Sequence, residues 1–143
     1  MLSPASSGVL ANLAPSLTAL RLSLHVLAAT IWVGGQFTVA GLLGTLRKLG
    51  DDATRQVARA FARLQWPAYV VLVATGFWNV AALGAQPHNW KVVLGVKIAV
   101  VAIAGASAYL HQRSRSKAGL AAFGAVAGLA SLGALVLGVF LAG

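Results

Sequence analysis

Acidic residues and sulfur-containing side chains are nearly absent from this chain. It has no cysteine, one methionine at position 1, and two acidic residues, Asp51 and Asp52, which are adjacent. The lack of cysteine excludes disulfides, Cys-ligated iron–sulfur clusters and thiolate metal sites, and with methionine so scarce the soft ligands that Cu(I) prefers are missing. Because both acids lie between two hydrophobic stretches, a carboxylate proton relay inside a membrane is also excluded.

Charged residues of either sign are scarce, whereas apolar residues dominate. The 143-residue chain is 59% hydrophobic and 9% charged, with a mean hydropathy of +0.83. Soluble domains carry roughly 25% charged residues, so we predict a polytopic membrane protein with one domain, residues 1–143, whose partner is the lipid bilayer. Most of the net charge of +9 lies in short loops between apolar stretches, where basic residues orient a membrane protein, and this placement argues against nucleic-acid binding.

Four hydrophobic stretches are each long enough to cross a bilayer, which takes roughly 20 helical residues. They cover residues 17–43, 66–83, 92–111 and 118–142. The prediction is an all-α fold, a four-helix transmembrane bundle. The first stretch lacks the positive start and short apolar core of a cleaved signal peptide, so we expect a retained helix that begins near Pro15, after a short tail.

The basic residues predict the orientation of the bundle. Five follow the first span and three follow the third, which places both loops on the cytoplasmic side and both termini outside. Arg55, Arg59 and Arg63 recur at helical spacing opposite an apolar face, and this pattern predicts a short cytoplasmic amphipathic helix at the membrane surface. The eight loop residues are Arg47, Lys48, Arg55, Arg59, Arg63, Arg113, Arg115 and Lys117.

Two ionisable residues lie inside predicted spans, where such side chains are costly and usually functional. His25 is in the first span and Lys97 is in the third, each about two turns from the outer face by helix rise. Trp32 and Gln36 follow His25 on the same helical face. We therefore predict a polar pocket in the outer half of the bundle that holds a cofactor. The structural alternatives are a neutral core histidine and a lysine that extends to the interface.

The other two histidines lie at the ends of the third span. His88 is in the outer turn and could close over His25, giving two imidazoles for a metal such as Cu(II). His111 is expected at the cytoplasmic surface. No nucleophile-plus-base set is present in the sequence, which favours a role other than catalysis while leaving an enzyme open.

Small residues are concentrated in the apolar stretches. Gly124 and Gly128 form a GxxxG pair in the last span, and such pairs let helices approach closely. Packing within the bundle is the simpler interpretation. The alternative is a docking face for a second copy of the chain or for other membrane subunits.

The segment Leu24–Gly35, which reads LHVLAATIWVGG, resembles the first helix of the copper-resistance protein D (CopD) superfamily. The segment ATGFW at residues 74–78, and Trp90 followed by Lys97, agree with that family. The resemblance covers nearly the whole chain from Leu17. It implies a multi-pass protein of the bacterial inner membrane that binds or transports copper through His25.

The same motifs are similar to those of HemJ-type proteins, which hold haem between a His-bearing and a Lys-bearing helix. That likeness implies a haem b-binding redox protein. His25 would be the haem ligand, Lys97 its partner or a propionate contact, and Trp32 and Gly35 would shape the helix around the site. A third possibility is an accessory structural subunit of a larger membrane complex that binds no cofactor.

Overall fold

Long helices with short connections make up the protein. The computed structural model describes the backbone of residues 4–143 and the side chains from Ser16 onward, and no strand occurs among the described residues. The all-α prediction is therefore confirmed for that part of the chain. The elements are α1 (Pro4–Ala29), a π-helical turn (Thr30–Gly34), α2 (Gly35–Leu49), α3 (Asp51–Ala81), α4 (His88–Arg113) and α5 (Lys117–Ala142).

The first helix begins earlier than the sequence predicted. Helix α1 starts at Pro4, so the expected tail over residues 1–13 is wrong for residues 4–13, while residues 1–3 lie outside the described part. Proline is well tolerated in a first helical turn, and Ala and Leu, which dominate residues 9–14, have high helix propensity. The helix therefore extends through Pro15 instead of beginning there.

The predicted surface helix is not a separate element. Its arginines lie in the first half of α3, which continues through Pro67 without a break. Helix α3 is joined to α2 by a single residue, Gly50, whose φ of +105° is a conformation that favours glycine. In place of a surface helix followed by a separate span, the protein has one 31-residue helix. The chain reverses direction sharply between α2 and this helix.

The two acidic residues stabilise the start of α3. Asp51 and Asp52 lie in its first turn, where negative charge is favoured by the helix dipole. Arg55 Nη2 donates a hydrogen bond to Asp52 Oδ1 at 2.8 Å, and this bond and the arginine charge lower the pKa of the Asp52 carboxyl. Both acids are therefore placed at one end of the molecule.

Helices α4 and α5 form an antiparallel hairpin that is closed at both ends by hydrogen bonds. At one end Trp90 Nε1 donates to the Leu141 carbonyl at 3.2 Å. At the other end His111 Nδ1 lies 2.8 Å from the Leu120 carbonyl and donates to it, because a carbonyl oxygen can only accept. His111, which was expected at the surface, is thus partly buried in the hairpin turn.

Trp32 is the centre of the buried core. Its side chain is 2% exposed, its ring centroid lies 4.5 Å from that of Tyr69 and 5.9 Å from that of Trp66, and Nε1 donates to Ser131 Oγ at 2.9 Å. A buried indole N–H usually finds such a partner. This one residue therefore joins α3 to α5. The buried core cluster consists of Trp32, Val33, Ala104, Ala108 and Ala127.

The outer faces of the helices are strongly apolar. Side chains such as Leu129 and Phe140 are 71% and 73% exposed, and exposed apolar surface on this scale marks a contact with lipid or with another protein. Among the described residues, three segments are long and apolar enough to cross a membrane: Ser16–Leu49, His88–Arg113 and Lys117–Ala142. The membrane prediction is confirmed in this general form.

The second predicted span, residues 66–83, is not among those three segments. Helix α3 carries arginines in its first half and includes Pro67, Thr75 and Asn79 in its second half, which lowers its mean hydropathy. The fourth span therefore stays a prediction.

Gly105 makes room for Tyr69, which gives a test of the core. A Cβ at Gly105 would overlap the Tyr69 hydroxyl, and that hydroxyl cannot move freely because it donates to the Val101 carbonyl at 2.9 Å. We expect Gly105→Ala to lower the free energy of unfolding by about 1–3 kcal/mol, as overpacking does, in thermal unfolding followed in detergent. Gly128→Ala is the matched control, since its Cβ would meet no atom within 4 Å. Equal Tm values for the two variants would contradict this account.

Candidate functional site

His25 lies on α1 and faces α3, and a hydrogen bond from its ring joins the two helices. Its side chain is half-buried, and Nδ1 is 2.9 Å from Thr75 Oγ1. The ring passes close to Gly76, where a Cβ would be 3.5 Å from His25 Cε1. The glycine therefore lets the backbone of α3 approach the imidazole.

The surroundings of Thr75 determine which ring nitrogen of His25 carries the proton. Thr75 Oγ1 is 2.6 Å from the Val71 carbonyl and 3.2 Å from the Leu72 carbonyl. Carbonyl oxygens only accept, so the hydroxyl donates to them and accepts from His25 Nδ1–H. In the neutral ring the Nε2 lone pair is then the one available to a ligand.

Lys97 lies on α4 and packs against α5. A Cβ at Gly138 would be 2.9 Å from Lys97 Nζ, so this glycine makes room for the ammonium. The Lys97 side chain runs toward the end of the hairpin where Trp90 meets Leu141, as expected for a lysine that extends to the membrane interface. The side chain is nevertheless half-buried, and its charge acts on the His25 imidazole. The two ionisable residues are therefore within electrostatic range of each other.

Trp32 and Gln36 form a hydrogen-bonded group of their own with Ser131. Trp32 Nε1 and Gln36 Nε2 donate to Ser131 Oγ at 2.9 and 3.2 Å, and Gln36 Nε2 also donates to the Trp32 carbonyl at 3.0 Å. These hydrogen bonds therefore join the π-helical turn and α2 to α5. Ser131 was missed in the sequence because one serine in an apolar helix has no distinctive spacing.

A π-helical turn lies between His25 and Gln36. It spans Thr30–Gly34, and π-turns occur frequently at functional sites because they insert one extra residue into a helix. The hydroxyl of Thr38 donates back to the Gly34 carbonyl at 2.9 Å, a type of bond that bends helices. The predicted common face of His25, Trp32 and Gln36 requires a regular α-helix, and the turn shifts the residues after it away from that face.

His88 lies in the first turn of α4 and is exposed. By helix rise it is roughly 13 Å before Lys97. Among the residues described, no group of three or more His, Cys, Asp or Glu side chains is arranged to hold a metal ion. The pairing of His25 with His88 stays a prediction.

Comparisons with protein-family models, with curated proteins and with solved structures found no match to this chain. The likeness to the CopD superfamily and to HemJ-type proteins therefore remains a prediction from the sequence motifs. The site has to be argued from its own geometry.

Removing the Thr75 hydroxyl should abolish the preference of His25 for the tautomer that is protonated at Nδ1. Wild-type protein labelled with 15N-histidine is expected to show His25 protonated at Nδ1 and bare at Nε2. In Thr75→Val we expect a mixture of tautomers, because a hydrogen bond worth about 1 kcal/mol is lost. Imidazole 15N shifts in detergent measure this, with His25→Ala to assign the signal. Thr30→Val, which loses only a bond to the Val26 carbonyl, should leave it unchanged. A wild-type His25 with its proton on Nε2 would refute the assignment.

Proposed function

We propose that this chain is a membrane-embedded binding protein in which His25 Nε2 ligates a metal-containing group in the outer half of the bundle. The observation that carries the proposal is the His25–Thr75 hydrogen bond at 2.9 Å. Metal-ligating histidines commonly donate their other ring N–H to an oxygen acceptor, which orients the ring.

The charge of Lys97 favours haem b over copper as that group. An ammonium within electrostatic range of the imidazole repels a bare metal cation, whereas it pairs well with a haem propionate. Histidine is a common ligand of haem iron, and the half-buried ammonium of Lys97 is a cation that a propionate can neutralise. The donor set therefore fits haem, which His25 would ligate and Lys97 would contact at a propionate. When bound, haem would supply one-electron redox chemistry.

Copper is the second candidate, with His25 and His88 as imidazole ligands. The exposed position of His88 in the first turn of α4 supports it, because that side chain is accessible to a metal arriving from outside. Imidazole is an acceptable ligand for Cu(II). Under this alternative the protein binds or transports copper as a CopD-like protein would.

The accessory-subunit alternative depends on the GxxxG pair, which the structure divides. Gly124 faces the His111 ring of the same chain, where a Cβ would be 3.1 Å from two ring atoms, while Gly128 faces open space. Only one half of the pair is thus available to another helix. This arrangement favours packing within the bundle over docking.

We further propose that α3 is the fourth span and that both termini are outside, in the inner membrane of a bacterium. Helix α3 runs antiparallel to a segment that is long enough to cross a membrane, with Trp66 beside Trp32 and Thr75 beside His25. Its second half therefore occupies the same depth. The basic loops would then be cytoplasmic.

The metal-containing group is tested by its absorption spectrum and by elemental analysis of the purified full chain. For haem we expect a Soret band and stoichiometric iron that His25→Ala abolishes, while His88→Ala retains both. For copper, both substitutions should lower the copper content, without a Soret band. Colourless, metal-free protein that is folded, from cells supplied with haem and copper, would overturn the proposal.

The four-span orientation is tested by cysteine labelling. Because the chain has no cysteine, each introduced cysteine is unique. A membrane-impermeant maleimide added to intact cells should label Ala85→Cys and leave Lys48→Cys and Arg115→Cys unlabelled until the membrane is opened. Labelling of residues 48 and 85 from the same side would show that α3 does not cross.

A further inference from the structure

Within the part of the chain that the structure describes, two buried polar atoms near the candidate site have no hydrogen-bond partner. They are Arg21 Nε and Asn79 Oδ1. Buried polar atoms are nearly always paired, and an unpaired one calls for a water, an ion or a ligand. One atom is a donor and the other is an acceptor, so each lacks the opposite kind of partner.

The fold places these two residues at the same level of the bundle. Arg21 precedes His25 by one helical turn on α1, and Asn79 follows Thr75 by one turn on α3. Because the two helices are antiparallel and are joined at His25 and Thr75, both steps lead toward the same end. Residues four apart also share a helix face. The unpaired donor and acceptor therefore lie at the same level of the bundle on facing helices, about one turn from the imidazole.

No negative charge of this chain's side chains can neutralise Arg21. The only acidic side chains in the sequence are Asp51 and Asp52. They lie in the first turn of α3, at the opposite end of that helix from Asn79, and Asp52 is paired with Arg55. Lys97 adds a second positive charge in the same half of the bundle. An uncompensated charge is costly in a membrane, and a negative group from outside the chain would remove that cost.

We propose that Arg21 and Asn79 bind a phosphate group that carries a neighbouring hydroxyl or ammonium. Arg21 Nε–H donates to a phosphate oxygen, a charge-assisted bond for which arginine is well suited. Asn79 Oδ1 accepts from the hydroxyl or ammonium. A phospholipid with a glycerol or ethanolamine headgroup has both features, and so does the free dihydrogen phosphate ion. This site is distinct from the ligand position on His25 Nε2.

The test is binding to delipidated full-length protein in mild detergent, followed by the shift in Tm. The probes are phosphatidylglycerol, phosphatidylethanolamine, phosphatidylcholine and inorganic phosphate. We expect the first two to bind roughly tenfold tighter than phosphatidylcholine, whose headgroup has no N–H or O–H donor for Asn79. A comparable effect of inorganic phosphate would identify the free ion as the ligand, whereas an effect of the lipids alone would identify the headgroup.

Two variants separate the roles of the residues. Arg21→Gln should abolish the response to every phosphate probe. Asn79→Val should keep phosphate binding and lose the preference over phosphatidylcholine. Lys91→Gln, which removes an exposed basic residue near the start of α4, is the control and should respond like wild type.

The proposal fails if wild-type protein is indifferent to all four probes, which would leave a bridging water as the partner. It also fails if Arg21→Gln responds as the wild type does. Neither variant is expected to change the absorption spectrum or the metal content. Failure of this site is therefore distinguishable from failure of the His25 proposal.

Discussion

The burial of Trp32 is the interaction on which the rest of the structure depends. Its indole packs on Tyr69 and Trp66 of α3 and donates to Ser131 of α5, so it joins the two helical hairpins. In lipid, helices associate through close packing and interhelical hydrogen bonds, because apolar surface alone gives no preference for protein over lipid tails. The position of His25 relative to Lys97 depends on this junction, since the two residues lie on different hairpins.

The second constraint is the distribution of charge. Both acids are used at the start of α3, while Arg21 and Lys97 lie in the other half of the bundle. No acidic side chain is therefore near either cation in the sequence order of the helices, and a partly buried cation without a counter-charge is costly. The haem propionate proposed for Lys97 and the phosphate proposed for Arg21 meet the same electrostatic requirement at two positions.

Much of the site could be anticipated from the sequence, and its partners could not. His25 and Lys97 are conspicuous because ionisable residues are rare in apolar stretches. Thr75, Gly76 and Ser131 are ordinary residues there, and their importance comes from the register between helices. In a chain with apolar residues around most of each helix, the hydrophobic pattern does not specify which faces meet. The π-turn at Thr30–Gly34 could not be predicted for a related reason, because the spacing of apolar residues gives no sign of one extra residue in a helical turn.

The sequence by itself determined that this is an all-α protein with long apolar stretches, that its positive charge lies mainly between those stretches, and that thiolate chemistry and membrane carboxylates are excluded. These follow from composition and from the length of the apolar runs, which are local properties. Only the tertiary structure decided that α3 is one continuous helix, that Thr75 contacts Nδ1 of His25, and that Arg21 and Asn79 lie at the same level with one polar atom each unpaired among the described residues. Each depends on how one helix is aligned against another, and contacts distant in sequence determine that alignment.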